Sequence, residues 1–349
     1  MQTIISEKIK LVRLMRRLSM EQLISLMGND AVSKMAISKI ERGIMNPSEK
    51  TLKAIAKACN VPVEYFFKED IGIGDMVFRS AKGVTTKEMD QMKAKVIHTI
   101  HKYFEQESYV LSPTPFKNPM KGTILSSYTD AENAAITLRR KWEIGIQPIF
   151  SAYELIQDYG IHVLELDFEN EHIDGISTFI NGKIPVMVIN TRRNITTERK
   201  RFTAFHELAH LLFKLRPLSD EEHARYLENL PKLPYTSVLK CPDEERLCNI
   251  FAGAMLIPSQ CLARRIGSTR TEISTEELIS IRECYGISIA ATIHRLHDLR
   301  IIDDNLYNKF FEEQIKANPM EEGWGEFPIK EKADRGVMMK IRLENEIKD

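Results

Sequence analysis

The amino-acid sequence predicts an α+β protein in which a small all-α unit precedes a larger mixed body. The first 68 residues repeat apolar side chains at helical intervals between short turns, which predicts five short helices. Between residues 161 and 190, apolar and polar side chains alternate as they do in strands, and Asn181-Gly182 is a hairpin turn signal. Helical patterns flank these strands, so the body combines a small sheet with several helices.

Length and charge divide the chain into a basic head and a mildly acidic body. The chain has 349 residues, enough for two or three domains, and its 49 Lys and Arg balance its 49 Asp and Glu. The first 68 residues hold twelve basic and six acidic side chains, a local excess of six positive charges. Such an excess is typical of a polyanion-binding unit, although a solvated surface without a partner also shows it.

The cysteines and the hydropathy pattern indicate a cytoplasmic protein. The five cysteines form no C-x-x-C pair, which favours free thiols in a reducing compartment over a zinc ribbon or a disulfide framework. No apolar run approaches the roughly 18–20 residues that a membrane span requires. The N-terminus lacks the apolar region of a signal peptide. We therefore expect a chain without membrane contact.

The head carries a recognisable DNA-binding pattern. Ser19 and Gln22 are spaced as a capping box for the second helix, and Ser33 is placed to cap the third. The string AISKIERGIMNPSEKTLKAIAKACNVPVEYFF resembles the helix-turn-helix of the Cro/XRE family, with three extra residues at 29–31 before its third helix. The resemblance implies that residues 1–68 bind double-stranded DNA. The alternative is a unit used for protein contacts, including a homodimer.

In this fold the third helix enters the major groove. Ala36, Ile37 and Ile40 are expected to pack inward. The outward positions, which we expect to reach bases or phosphates, are Ser33, Lys34, Met35, Ser38 and Lys39.

Residues 69–129 are predicted to be a glycine-containing linker followed by an amphipathic helix. His98 and His101 lie three residues apart on this helix, but no carboxylate or cysteine lies in register with them, so we interpret them as packed or solvated. The body is predicted to span residues 130–300, beginning with a helix capped by Asp130 and another after Pro148. Residues 301–349 form a tail to which the sequence assigns no role.

The chemistry of the body is predicted to centre on a helix that begins at Thr196 or Thr197. His206 and His210 are four residues apart and therefore lie on one helix face, where two neutral imidazoles can bind one Zn²⁺ at about 2.0–2.1 Å. Glu207 lies about 100° around the helix from His206 and flanks the metal. A carboxylate in that position is the natural general base.

A third ligand is expected from a second helix, because His210 is followed by Leu-Leu-Phe and not by the spacing of a third histidine. In the stretch EERLCNIFAGAMLIP, Glu245 is the candidate ligand and Glu244 its rival. Asn249, one turn beyond Glu245, is placed to hydrogen-bond a metal-binding imidazole. The fourth metal position stays open for water in catalytic zinc sites.

The stretches FTAFHELAHLLF and EERLCNIFAGAMLIP together resemble the ImmA/IrrE family of metallopeptidases. Glu245 takes the position of the family's ligand, and Cys248 replaces its usual alanine. The other matching positions are Asn249, Phe251, Ala252, Leu256 and Pro258. The resemblance implies a zincin-like body of the gluzincin type, one Zn²⁺ per chain, and regulatory cleavage of a helix-turn-helix repressor. The alternative is a DNA-binding regulator or antitoxin-like repressor whose zincin domain senses or docks a partner without proteolysis.

Two further expectations concern the substrate. A second helix-turn-helix-shaped piece at residues 276–302 offers candidate groups for stabilising an oxyanion, namely Tyr285, His294, Arg295 and His297. A cytoplasmic protease must also be restrained from cutting other proteins. We expect that restraint to come from narrow substrate fit, with the substrate strand adding to the edge of the hairpin at residues 175–190.

Overall fold

The head of the protein is helical in the computed structural model. The model describes residues 2–67, 72–74, 76–78, 84–107, 116–168, 172–192, 195–231 and 239–333. The tail beyond residue 333, residue 68 of the predicted head, and the parts of the predicted linker at 69–71, 75, 79–83 and 108–115 lie outside this description. The head contains five predicted helices, of which the fifth is a 3-10 helix. Their bounds are Gln2–Met15 (α1), Met20–Met27 (α2), Lys34–Glu41 (α3), Glu49–Ala58 (α4) and the 3-10 helix Val63–Phe67.

The head helices begin where their capping residues allow. Ser19 and Gln22 form the predicted capping box of α2, and the Ser33 hydroxyl accepts a hydrogen bond from the Ala36 N–H at the start of α3. The extra residues at 29–31 belong largely to a short 3-10 turn, Gly28–Asp30. A buried ion pair between Arg13 and Glu41, at 2.6 Å, ties α1 to α3. The head therefore has its own core and internal charge pairing.

The body is built on a four-stranded sheet in the order β1-β4-β5-β3. β4 and β5 form the predicted antiparallel hairpin, and β3 runs parallel to β5. A separate parallel pair joins β2 to β6. The strands are Val77–Phe78 (β1), Ile124–Leu125 (β2), His162–Leu166 (β3), Gly175–Ile180 (β4), Ile184–Asn190 (β5) and Lys214–Leu215 (β6).

The outer edge of β4, to which we expected a substrate strand to add, is already paired with β1. The prediction of an open hairpin edge is therefore wrong. β1 pairs antiparallel with β4 through Val77 and Ser177. Gly74 extends the pairing by donating its N–H to the carbonyl of Phe179 at 2.9 Å. The physical reason is that residues 72–74 and 76–78, predicted as part of the linker, supply backbone hydrogen bonds that an exposed strand edge otherwise leaves to water.

Ten helices complete the described part of the body. Two of their starts differ from prediction: α6 is capped by Ser127, with Asp130 as its capping-box partner, and α7 is capped by Ser151. The helices are Thr86–Glu107 (α5), Tyr128–Lys141 (α6), Ala152–Asp158 (α7), Thr197–Leu212 (α8), Asp220–Glu228 (α9), Glu244–Leu256 (α10), Ser259–Ile266 (α11), Thr275–Tyr285 (α12), Ile289–Asp298 (α13) and Asp304–Phe310 (α14). A π-helical turn, Phe311–Ile315, follows α14.

Helix α8 lies at the centre of the body, against β4 and β5 on one side and α10 on the other. Helix α5 covers the sheet through an apolar cluster that includes Val96 and Ile100. On α5, the ring of His98 lies 5.9 Å from that of Tyr65, and burial lowers the pKa of His98 to about 4. All five cysteines are free thiols. Among the described residues, no helix is long and apolar enough to cross a bilayer.

The chain returns to α8 through a segment that we call the C-terminal strap, residues 318–333. The fully buried carboxylate of Glu331 pairs with the equally buried guanidinium of Arg201 on α8. It also accepts the N–H groups of Ala152 and Tyr153 at the start of α7, at 2.8 and 3.1 Å. On the same helix, Glu198 accepts the N–H of Phe327 at 2.9 Å. Phe327 and Glu331 of the predicted tail are thus packed against α8.

Replacing Glu331 with alanine is expected to destabilise the body strongly, because it leaves the Arg201 charge buried without its carboxylate. Loss of one partner of a buried ion pair costs about 3–5 kcal/mol. Urea unfolding of the full chain measures the difference. The matched control is Glu326→Ala in the same strap, an exposed position where a change within about 0.5 kcal/mol is expected. Equal stabilities of the two variants would contradict the assigned role of Glu331.

Candidate metal centre

Helix α8 presents two imidazoles to the same point. The helix begins where predicted, because the Thr196 hydroxyl accepts the N–H of Arg199 at 3.2 Å. His206 and His210 follow on one face, and their Nε2 atoms lie 3.2 Å apart. His206 is fully buried and His210 nearly so. Two ring nitrogens are therefore held at ligand spacing in a site with little access to water.

The first turn of α10 adds a carboxylate to this pair. The Oε2 atom of Glu245 lies 3.3 Å from His206 Nε2, and its Oε1 lies 3.5 Å from His210 Nε2. Its sequence neighbour Glu244 is exposed to solvent. The structure thus brings Glu245, and not its rival, to the two histidines.

The spacing of these three groups fits a zinc ion. In a tetrahedral site with ligands about 2.0–2.1 Å from the metal, neighbouring ligand atoms stand about 3.3–3.4 Å apart. The observed separations of 3.2, 3.3 and 3.5 Å lie close to that value. Two imidazoles and one carboxylate are also a donor set that catalytic zinc uses. The residues present therefore fit the metal that the sequence implies.

Asn249 occupies the position expected of a residue that orients His206. Its Oδ1 lies 2.9 Å from His206 Nδ1, so the ring donates its Nδ1–H to the amide and keeps the Nε2 lone pair for a metal.

Cys248 has a similar relation to the second histidine, which sequence reasoning missed. Its Sγ lies 3.8 Å from His210 Nδ1, and ligand-capable atoms of His206, His210 and Cys248 all fall within 4.8 Å of one another. The thiol nevertheless meets Nδ1, whereas Nε2 is the atom that faces Glu245. We therefore interpret Cys248 as a contact of the imidazole and keep Glu245 as the candidate third ligand.

The carboxylates make the centre attractive to a cation. Burial alone would raise the pKa of Glu245, but the hydrogen bonds and positive charge that His206 and His210 supply when they are protonated hold that pKa well below its usual range. Burial would lower the pKa of His210, but the hydrogen bond with Glu245 and the nearby charge of Glu207 raise it. The anionic groups therefore favour positive charge between them, which a divalent metal supplies.

Glu207 is fixed between α8 and β4 by a glycine. A Cβ atom added to Gly175 would lie 3.0 Å from Glu207 Oε1 and 2.6 Å from Thr203 Cγ2. The absence of a side chain at Gly175 thus allows the strand to approach the helix and leaves room for the carboxylate. Glu207 itself is completely buried.

The candidate oxyanion groups make contacts away from the three ligand atoms. Tyr307 contacts His294 at 2.9 Å, Asp304 contacts His297 at 2.6 Å, and Arg295 pairs with Glu132 at 2.6 Å. The ring of Tyr285 lies under the guanidinium of Arg265. The described structure thus gives none of these four groups a hydrogen bond to a proposed metal ligand.

On the head, α3 presents the predicted outward residues on its surface. Met35 is 68% exposed, whereas Ile37 and Ile40 are fully buried. Lys34 pairs with Glu21 of α2. The remaining members of the set are Ser33 and Lys39, which are exposed, and Ser38, which is half-buried.

Comparison with family models agrees with both parts of the architecture. Residues 156–297 match the peptidase M78 family, described as an IrrE N-terminal-like domain. Residues 9–66 match a helix-turn-helix family. These matches confirm the predicted combination of a Cro/XRE-type head with an ImmA/IrrE-like body, and they support the α+β fold class. No curated protein matches the chain.

Glu245→Ala is expected to lose the metal, whereas Glu244→Ala is expected to retain about one zinc per chain. The two side chains lie about 100° apart on the helix, and only one can face the histidines. Metal analysis after dialysis distinguishes the two variants. Metal loss in Glu244→Ala alone would transfer the ligand role to that residue.

Asn249→Ala is expected to weaken zinc binding by about 10–100-fold, because the His206 ring loses its orienting partner.

The head is expected to bind duplex DNA without zinc. Lys34→Ala and Lys39→Ala should each weaken binding and reduce the slope of log affinity against log salt by about 0.9, because one phosphate contact is lost. Titrations of the full chain at several salt concentrations measure this slope. Lys87→Ala, an exposed change on α5, is the control. Unchanged slopes in both head variants would exclude these contacts.

Proposed function

We propose that this chain, which joins a Cro/XRE-type helix-turn-helix head to an ImmA/IrrE-like peptidase M78 body, is a zinc-dependent endopeptidase that controls transcription by cutting a helix-turn-helix repressor. One observation carries the proposal: His206, His210 and Glu245 place their ligand atoms 3.2–3.5 Å apart, with Glu207 adjacent on the same helix. This arrangement combines a metal-binding donor set with a separate proton acceptor, which peptide hydrolysis requires.

In the proposed hydrolysis, each residue of the centre has a separate role. A zinc ion bound at the centre supplies Lewis-acid chemistry, polarising the scissile carbonyl and lowering the pKa of water. Glu207 takes the proton from the attacking water on its carboxylate and delivers it to the nitrogen of the departing amine. Asn249 keeps the His206 ring in its metal-binding tautomer. The side chains of Glu207 and His206 are fully buried, whereas that of Glu245 is 35% exposed, so the centre is open to solvent on the Glu245 side.

Access to the centre is proposed to be restrained by the chain itself. Gly175 of β4 touches Glu207, and the next two residues of β4 pair with β1. A substrate strand added to the outer edge of β4 would have to displace residues 72–74 and 76–78, which now pair there. In this proposal only a substrate that competes with that segment, and fits beside it, is cut efficiently.

Glu207→Gln is expected to keep the zinc while losing cleavage of the partner repressor by about 10²–10⁴-fold, because it removes the proton acceptor and no ligand. The test incubates purified chains with the helix-turn-helix repressor encoded beside the gene and measures both cleavage and metal content. Glu244→Gln, an exposed neighbouring change, is the control. If the unmodified chain does not cut the repressor and the Glu207→Gln variant still regulates transcription, a sensing or docking domain replaces proteolysis as the proposed function.

Casein is expected to remain largely intact while the partner repressor is cut at one or a few sites. Gly74→Pro removes the N–H that donates to Phe179 and should loosen the covering segment. Casein cleavage should then rise by about two- to tenfold, the factor that corresponds to one hydrogen bond of about 0.5–1.5 kcal/mol. Rates from electrophoresis of the digests provide the measurement. Rapid casein digestion by the unmodified chain would contradict this restraint.

A further inference from the structure

A cavity of about 540 Å³ lies beside the candidate metal centre. Its walls come from the first half of α8, from α10, from α13 and from the C-terminal strap. This volume lies within the range of about 300–1,000 Å³ that is typical of sites for small ligands. Residues that line it include Arg199, Phe202, Arg246, Asn249, His294 and Arg295.

The mouth of the cavity on the α8 side carries a surplus of positive charge. The carboxylate of Asp174 is shared by two guanidinium groups, Arg192 at 3.1 Å and Arg199 at 2.7 Å. The lining as a whole holds three acidic side chains and four arginines, which leaves one net positive charge; they are Asp174, Asp298, Glu321, Arg192, Arg199, Arg246 and Arg295. The N-terminus of α8, capped by Thr196, opens on the same cavity, and helix N-termini favour anions.

A second, deeper feature favours a hydrogen-bond acceptor. Arg295 is only 2% exposed, and its terminal nitrogens pair with Glu132. Its Nε has no acceptor among the residues that the structure describes. Leaving a buried donor unsatisfied costs about 1–3 kcal/mol. The neighbouring His294 adds no charge near pH 7, because burial lowers its pKa to about 4.

The cavity has a direct connection to the metal centre. Asn249 lines the cavity, and the same side chain holds His206 Nδ1 at 2.9 Å. Arg246, another lining residue, is the direct sequence neighbour of Glu245. A group bound in the cavity therefore lies one side chain away from a proposed zinc ligand.

We propose that this cavity binds an anionic group, a carboxylate or a phosphate, and that its occupancy is coupled to metal binding through Asn249 and His206. The proposal rests on the metal centre of the proposed function but not on proteolysis. The anion has two possible sources, an acidic side chain of the substrate near the scissile bond and a small free anion. By linkage, anion and zinc raise each other's affinity by the same factor.

The test uses the full chain, with and without zinc, and three probes in calorimetric titrations. The probes are N-acetyl-glutamate amide, its neutral glutamine analogue, and inorganic phosphate, which is used with the zinc-free protein only. The glutamate probe or phosphate should bind, and the glutamine analogue should not. Arg199→Gln should weaken anion binding at least tenfold, while Arg264→Gln, an exposed change on α11, should leave it unchanged.

Coupling is measured by zinc competition with a chromophoric chelator in the presence of N-acetyl-glutamate amide. The probe should raise zinc affinity by at least about fivefold, the lower end of typical allosteric coupling. Asn249→Ala should abolish this increase while the probe still binds. Circular dichroism checks that each variant is folded.

Binding of phosphate in preference to the glutamate probe identifies a free anion as the ligand, and the reverse preference identifies a substrate side chain. Absence of binding by both anions, or equal binding by the Arg199 and Arg264 variants, would overturn the site. Equal zinc affinity with and without the bound probe would overturn the coupling. If the chain binds the anion and shows the coupling to zinc but cuts no repressor, the proposed function is refuted and the anion site is retained.

Discussion

The contact between α8 and α10 is the interaction on which the candidate centre depends. Two ligands belong to one helix and the third to the other, so a small shift between the helices would separate Glu245 from the imidazoles. The contact is apolar at its centre, where Phe205 and Leu208 are buried with Phe251 of α10. Such packing resists displacement, because interiors are dense and every gap forfeits dispersion contacts.

The other end of α8 is held by charge. Glu198 and Arg201 are almost fully buried, and each finds a partner outside the helix, in Arg282 and in Glu331 of the strap. Buried charges are tolerated only when they are paired and hydrogen-bonded. The peptidase family match ends at residue 297, whereas the partner of Arg201 lies at residue 331. The described part of the predicted tail thus contributes to positioning the same helix that carries the metal-binding residues.

Local sequence signals accounted for much of this structure. Helical periodicity and capping residues predicted the head and the start of α8 at Thr196. The four-residue spacing of Glu245 and Asn249 predicted two neighbouring roles on one helix, and the structure places both side chains beside His206.

Other features could not be predicted because they depend on pairing between distant parts of the chain. Nothing in the glycine-containing segment at 72–78 indicates that its backbone will pair with β4, since hydrogen bonds between strands are not encoded by local composition. In the sequence, Glu331 is one of many charged residues in a polar tail, so its buried pairing with Arg201 has no local signal. The contact between Cys248 and His210 likewise requires the register of two helices.

The same long-range contacts connect the head to Glu207, the proposed general base. Helix α1 packs on α5, and α5 packs on the sheet. Residues 77 and 78 pair with β4, and Gly175 of β4 lies where an added Cβ would stand 3.0 Å from Glu207 Oε1. A continuous path of contacts does not by itself transmit a signal, because coupling is a difference in free energy between two states. In the proposed function, DNA bound to the head could change cleavage only if its affinity differed between two states of the chain. In one state residues 77 and 78 pair with β4, and in the other they are released. Each backbone hydrogen bond contributes about 0.5–1.5 kcal/mol, so the several bonds that hold these residues on β4 set the difference in binding that their release would require.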